Sequence, residues 1–119
     1  MFPSHDLQVY KNVKSVFKNQ SNVYVHRMTS DKWFDVNSDI QLDWIYIDGD
    51  HSYEGCLRDL NNAFKVVKKG GLIIGDDYKW PNTKWSKEGV TKAVNEFLKA
   101  NPDLSIKRYG DSQYKIRVI

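Results

Sequence analysis

The chain has 119 residues, enough for one domain with a real core, and 40% of them are hydrophobic. Its net charge of +3 is spread along the sequence with no dense Lys/Arg block, which argues against a nucleic-acid partner. No apolar run is long enough to span a membrane, no signal peptide or low-complexity tract is visible, and a single cysteine, Cys56, rules out an internal disulfide, so the expectation is a soluble cytoplasmic protein.

In chain order, Phe2-Pro3-Ser4 reads as a loop delivering Ser4 as a helix N-cap, with Asp6 in the first turn. Leu7, Tyr10, Val13 and Phe17, with Val9 and Val16, form one face of a first helix to about Lys18, and Asn19-Gln20-Ser21-Asn22 breaks it. Val23–Met28 alternates and is β-branched, which predicts a strand. Thr29-Ser30-Asp31 caps a short helix through Trp33 and Phe34, and Asn37-Ser38-Asp39 is a turn.

The rest is organised around Asp43–Tyr78. Trp44–Ile47 and Leu72–Ile74 are short apolar runs suited to strands buried on both faces. Between them Tyr53, Cys56, Leu57, Leu60, Ala63, Phe64 and Val67 recur at helical spacing, and Gly70-Gly71 reads as the helix stop. A strand–helix–strand unit of this kind crosses over right-handed and leaves its strands parallel. Lys79–Trp85 is a loop whose Trp80 and Trp85 are either surface anchors or a lid. Ser86 caps a helix with the face Val90, Ala93, Val94, Phe97 and Leu98, stopped by Asn101-Pro102. Leu104–Tyr109 and Gln113–Ile119 flank Gly110-Asp111-Ser112 as a hairpin. The fold class is α/β, a mostly parallel sheet with helices on its faces and a C-terminal antiparallel hairpin.

Both central strands end in acids, Asp48 and Asp50 after the first, Asp76 and Asp77 after the second. Parallel neighbours end on the same edge, so four carboxylates should meet on the rim where open parallel sheets bind ligands. They stay ionised together only if a cation or several donors neutralise them, and oxygen ligands suit a hard divalent ion such as Mg²⁺. Such an ion lowers the pKa of a bound hydroxyl, and a free carboxylate or His51 can take the proton. The plainer alternative is that strand ends often carry Asp as caps for the helix that follows, and that Asp50 before Ser52, or Ser52 itself, is such a cap. Cys56 reads as a buried thiol, and His5 and His26 as structural.

At Ile-Asp-Gly-Asp-His-Ser-Tyr-Glu-Gly (47–55), with Asp59, Gly70-Gly71, Gly75-Asp-Asp-Tyr78 and Gly89-Val90-Thr-Lys-Ala93-Val-Asn-Glu-Phe97, the chain resembles class I S-adenosylmethionine-dependent methyltransferases. The branch it looks most like holds metal-dependent sugar O-methyltransferases. The resemblance implies a Rossmann-like sheet in which Val23, Trp44 and Leu72 open the third, fourth and fifth strands and the hairpin is the last pair. It implies Asp48, Asp76 and Asp77 as metal ligands, Asp50 as general base, with His51 beside it as a second catalytic candidate. Thr29, Ser30 and Asp31 would lie beside the cofactor's adenine, and Asp48 would border the cofactor as well. The acceptor would be a small molecule.

The family's glycine-rich loop should precede all of this, yet no glycine occurs before Gly49. The resemblance therefore covers the C-terminal part of a methyltransferase, a partial domain expected to bind S-adenosylmethionine poorly alone. The alternatives are a non-catalytic or partner-dependent domain of the same fold, and a divalent-metal or phosphate binder. In the family's strand order two further strands separate the Val23 strand from the Trp44 strand. Without them the latter has an open apolar edge. Either Val23–Met28 moves in beside Trp44–Ile47, or a homodimer or partner chain covers the edge.

Overall fold

A computed structural model describes residues 3–119, with side chains from residue 7 onward. Helix α1 spans Pro3–Val16 and α2 Ser30–Val36; strand β1 (Leu42–Ile47), helix α3 (Tyr53–Val66) and strand β2 (Val67–Gly75) form the centre. A 3₁₀ turn at Asn82–Lys84, helix α4 (Gly89–Ala100) and strands β3 (Ile106–Tyr109) and β4 (Gln113–Arg117) complete the chain. The four strands make one sheet in the order β1-β2-β4-β3, with β1 and β2 parallel and β4 antiparallel to both β2 and β3. The expected α/β class, central parallel crossover and terminal hairpin are all present.

Local chemistry sets the helix boundaries. The Thr29 hydroxyl accepts from the Lys32 amide at 3.2 Å and starts α2, and the Ser52 hydroxyl accepts from the Gly55 amide at 3.1 Å and starts α3. Ser86 does not cap α4: that helix begins at Gly89 after Glu88, without a side-chain cap among the described residues. Asn101 closes it, its side-chain amide donating to the Phe97 carbonyl at 2.8 Å. Helix α1 starts at Pro3, one residue before the expected cap Ser4; the side chains of Ser4, His5 and Asp6 lie outside the described residues.

One face of the sheet carries the core. Ile47, Ile73, Tyr114 and Ile116 point into the same layer as Cys56, Leu60 and Ala63 of α3 and Ala93, Val94 and Phe97 of α4. Phe64 and Phe97 join the two helices edge to face, with ring centroids 5.6 Å apart, a favoured aromatic geometry.

Two expected elements are corrected. Val23–Met28 forms no strand. β-branched alternation makes a strand only where the segment is paired, and this segment pairs with none of the four strands, leaving the outer edge of β1 open. The sheet is therefore not closed by that segment.

Gly70-Gly71 is not a helix stop, because α3 ends at Val66 and β2 starts at once. The glycines sit inside a bulged start of β2, where Leu42 pairs with Val67 but Trp44 already pairs with Leu72. Gly70 takes φ +86°, and the Gly70 amide and Gly71 carbonyl bond to Val118.

Helix α1 does not cover the sheet. Leu7, Val9, Val13 and Val16 are exposed, and none of the described side chains of α1 joins the core cluster or packs on it.

Candidate functional site

Asp48 and His51 follow β1 directly, and Asp77 follows β2 by two residues. The parallel pairing of Ile47 with Gly75 brings the two strand ends level. Asp77 sits at φ 65°, in the left-handed region that Asp tolerates better than most residues. That turn parts the neighbouring acids. Asp77 Oδ2 meets His51 Nε2 at 3.1 Å, and the same nitrogen lies 3.2 Å from Asp48 Oδ1. Asp76 instead accepts from the Ser112 hydroxyl at 2.5 Å, and this bond, helped by the Asp77 amide, holds its carboxyl below the usual range.

The structure thus brings Asp48, His51 and Asp77 together, with one ligand atom from each lying within 4.8 Å of the others. Two carboxylate oxygens and an imidazole nitrogen are a donor set that divalent cations accept, so these residues fit the metal that the family implies. Asp76 and Asp50 stand outside that cluster. Asp50 Oδ1 accepts from the Ser52 amide at 2.9 Å, and this bond lowers its pKa most, followed by the Ser52 hydroxyl. Its carboxylate also lies where a side chain at Gly55 would have to go. The cap of α3 is Ser52, and Asp50 closes a turn onto the Ser52 amide just before it.

Beside the rim, a groove of about 610 Å³ runs along the open side of β1. Trp33 and Phe34 of α2, Trp44 and Tyr46 of β1, and Ser30 and Asp59 line it, and Asp48 closes its end. Of the three residues expected beside a cofactor, Ser30 lines this groove and donates to Asp59 Oδ1 at 2.7 Å. Thr29 is the α2 cap, and Asp31 pairs with Arg58 at 3.1 Å. The groove offers flat apolar walls with a small polar group at one end, which suits an aromatic ring system such as an adenine.

Asp59 and Tyr114 were not singled out as site residues from the sequence. Asp59 is buried on the inner face of α3, and burial raises its pKa more than the Ser30 bond lowers it. Its place at i+3 from Cys56 on the apolar stripe is the signal that marks it. Tyr114 lies fully buried beneath the rim, and its hydroxyl has no hydrogen-bond partner among the described residues. Burial pushes the pKa of that hydroxyl up. In the loop after β2, Trp80 stacks on Tyr78 at 4.5 Å and packs on the core, as an anchor would. Trp85 is half-buried under the Lys79 ammonium, 3.9 Å from its ring. No helix among the described residues is long and apolar enough to cross a membrane.

The raised pKa of Asp59 has a testable sign. Between its ordinary value and its folded value, the folded chain holds more protons than the unfolded chain. Stability therefore falls as pH rises from about 4 upward. Asp59→Asn keeps an acceptor for Ser30 but removes this dependence. Urea unfolding across that pH range should show the wild type losing stability relative to the variant, and parallel curves would refute the assignment.

A parallel β-α-β crossover with acids at its strand ends, continued by a helix and an antiparallel hairpin, defines a methyltransferase-type fold. Comparison with solved structures agrees. A proposed O-methyltransferase from Klebsiella pneumoniae aligns with a TM-score of 0.67 at 18% identity, over 94% of this chain and 56% of that one. The O-methyltransferase NovP aligns at 0.64 and 21% identity, over 91% and 44%. A proposed rRNA-methylase from Clostridium thermocellum aligns at 0.63 and 16%, over 99% and 72%. The family described as "Methyltransferase domain" matches residues 3–78, and the chain belongs to that family, within the class I S-adenosylmethionine-dependent methyltransferases. An uncharacterised protein of Acanthamoeba polyphaga mimivirus, R132, is 40% identical over 78 residues. Those residues are 66% of this chain and 32% of the viral protein, so the match spans about a third of that relative's length.

Proposed function

We propose that this chain carries the acceptor-side rim of a small-molecule O-methyltransferase that uses a divalent cation. The observation that supports this reading best is the convergence of Asp48, His51 and Asp77 at the ends of two parallel strands, at the mouth of an apolar groove. A cation held there would lower the pKa of an acceptor hydroxyl, and S-adenosylmethionine would supply the methyl group. Asp48 and Asp77 would hold the cation, with Asp76 close behind them on its Ser112 bond. Of the two expected proton acceptors, His51 is the one whose ring reaches the cluster; the Asp50 carboxylate is tied to the Ser52 amide. Ser30 and Asp59 would orient the cofactor's polar edge in the groove. The mild, dispersed charge favours a small acceptor over a polynucleotide, and the single thiol suits a reducing cytoplasm.

A second reading, a domain of this fold that works only with a partner, is favoured by the unpaired side of β1.

Mn²⁺ binding tests the metal reading without requiring turnover. Titration followed by electron paramagnetic resonance should show a bound ion in the wild type. Asp77→Asn should weaken it by about tenfold or more, since a charged ligand is lost. Asp35→Asn, a control away from the rim, should leave it unchanged. Equal Mn²⁺ affinity for the wild type and Asp77→Asn would defeat the proposal.

A further inference from the structure

Ile47, Gly75 and Tyr114 stand level across the ends of β1, β2 and β4. Residues level across a sheet share a face, and this row faces the core. Gly75 adds no side chain to it. A Cβ there would overlap the Tyr114 hydroxyl and the ring carbons beside it, so the far end of the Tyr114 ring lies over Gly75. Strands β4 and β1 flank β2 on opposite sides. A ring that starts on β4 and ends over Gly75 therefore heads for the end of β1, where Asp48 follows Ile47. The glycine lets a tyrosine from the far side of β2 deliver its hydroxyl under the rim.

That hydroxyl is sealed in. Tyr114 is fully buried, and its oxygen has no hydrogen-bond partner among the described residues. A buried hydroxyl left unpaired is costly, and native structures nearly always give it a partner, either a protein atom or a water. Burial raises the pKa of this one, so it keeps its proton and acts as a fixed donor.

A small cavity supplies the place for an acceptor. Asp48, Asp50 and Asp76 line it at the strand ends, Cys56 of α3 and Val90 of α4 line its helix side, and Tyr114 lies beneath. About 10 Å³ of it is open to the centre of a water, which is the room that one water takes. A water also needs two to four polar partners, and one hydroxyl donor with three carboxylates meets that need. Two of the acids are already engaged, Asp76 by the Ser112 hydroxyl and Asp50 by the Ser52 amide. Asp48 Oδ1 faces the His51 ring, and Asp48 is the rim acid whose charge bears most on the Tyr114 hydroxyl.

We propose that the cavity is a one-water site and that Tyr114 is a positioning residue for the rim. Its hydroxyl donates to the water, and the water donates to the Asp48 carboxylate, which keeps Oδ1 turned towards His51 and Asp77. The consequence for a cation rests on the metal reading of Asp48, His51 and Asp77; the bridge itself does not. A partner that orients a metal ligand from behind commonly changes affinity by about tenfold or more.

Tyr114→Phe tests this, because it keeps the ring over Gly75 and removes only the hydroxyl. A crystal structure of the wild-type protein should show one water within hydrogen-bond reach of both Tyr114 Oη and an Asp48 carboxylate oxygen. A dry cavity, or a Tyr114 hydroxyl bonded straight to a protein atom, would overturn the proposal. The urea midpoint of the variant should fall by roughly 0.3–1 M, since a bonded hydroxyl is lost. A midpoint at or above the wild type's would mean that the hydroxyl was never satisfied, and would overturn it too. Mn²⁺ titration followed by electron paramagnetic resonance should show about tenfold weaker binding to the variant. A merely structural hydroxyl would move the urea midpoint and leave that affinity alone, so equal affinities would refute the positioning role. A wild type that binds no Mn²⁺ would defeat the metal reading alone. The crystal structures of the two proteins would then decide whether Tyr114 positions Asp48, whose carboxylate must turn away from His51 in the variant.

Discussion

Gly71→Ala is expected to destabilise the chain by about 3 kcal/mol or more, a large share of the roughly 5–15 kcal/mol that keeps a domain folded. A Cβ at Gly71 would lie 2.6 Å from the Asp43 carbonyl oxygen, 2.6 Å from Val67 Cγ1 and 2.9 Å from the Lys68 carbonyl. Two of these three atoms are backbone and cannot rotate aside. The methyl group would therefore force β1 away from β2 at the bulge, where Leu42 and Trp44 bracket Asp43. Gly71 also holds the chain end, since its carbonyl accepts from the Val118 amide at 2.9 Å. Gly70, one residue earlier, has open space around its Cα but a φ of +86°. Gly70→Ala should cost only about 1 kcal/mol, the ordinary penalty of a left-handed alanine. Chemical denaturation of the two variants side by side decides the matter, because equal losses would show that backbone strain, not close approach, governs both positions.

Phe97→Ala should cost about 3–5 kcal/mol. The ring is fully buried, meets Phe64 of α3 edge to face, and lies in the layer that joins α3, α4 and the sheet. The effect should also reach the rim. Helix α4 begins at Gly89, whose Cα faces the His51 carbonyl, so the α3–α4 packing helps to fix the loop that carries His51. Denaturant unfolding should show the loss of stability, and the variant should also bind Mn²⁺ more weakly under conditions where it stays folded. A loss below about 1.5 kcal/mol would mean that the core collapses around the missing ring.

The features legible in the sequence were those fixed by neighbouring residues. Thr29 and Ser52 start helices because a hydroxyl beside three free amides has one good thing to do. The apolar stripe of α3 and the turn at Gly110-Asp111-Ser112 were equally local, and so was the pairing of two strand ends that carry acids. What failed depended on distant partners. Val23–Met28 has the composition of a strand, but a strand exists only through its neighbour. The glycines at 70 and 71 look like a helix stop until β1 is laid beside them and the bulge becomes visible. His51 was weak as a lone histidine because its second carboxylate comes from Asp77, just past the end of another strand. The divergence of Asp76 and Asp77 rests on one backbone angle at Asp77, which no composition or spacing reveals.

The single thiol gives the molecule a clock of its own. Cys56 is 2% exposed on the inner face of α3, and burial pushes its pKa up to about 12. Thiolate, not thiol, attacks alkylating and disulfide reagents, so the folded chain is doubly shielded from them, by access and by protonation. Modification then proceeds only through openings that expose α3. Its rate at low reagent reports how often the central crossover comes apart, and it does so in the unmodified chain without any attached dye. Since α3 spans the connection between the two strands that end in Asp48 and Asp77, that one sulfur times the opening of the element on which the acidic rim is built.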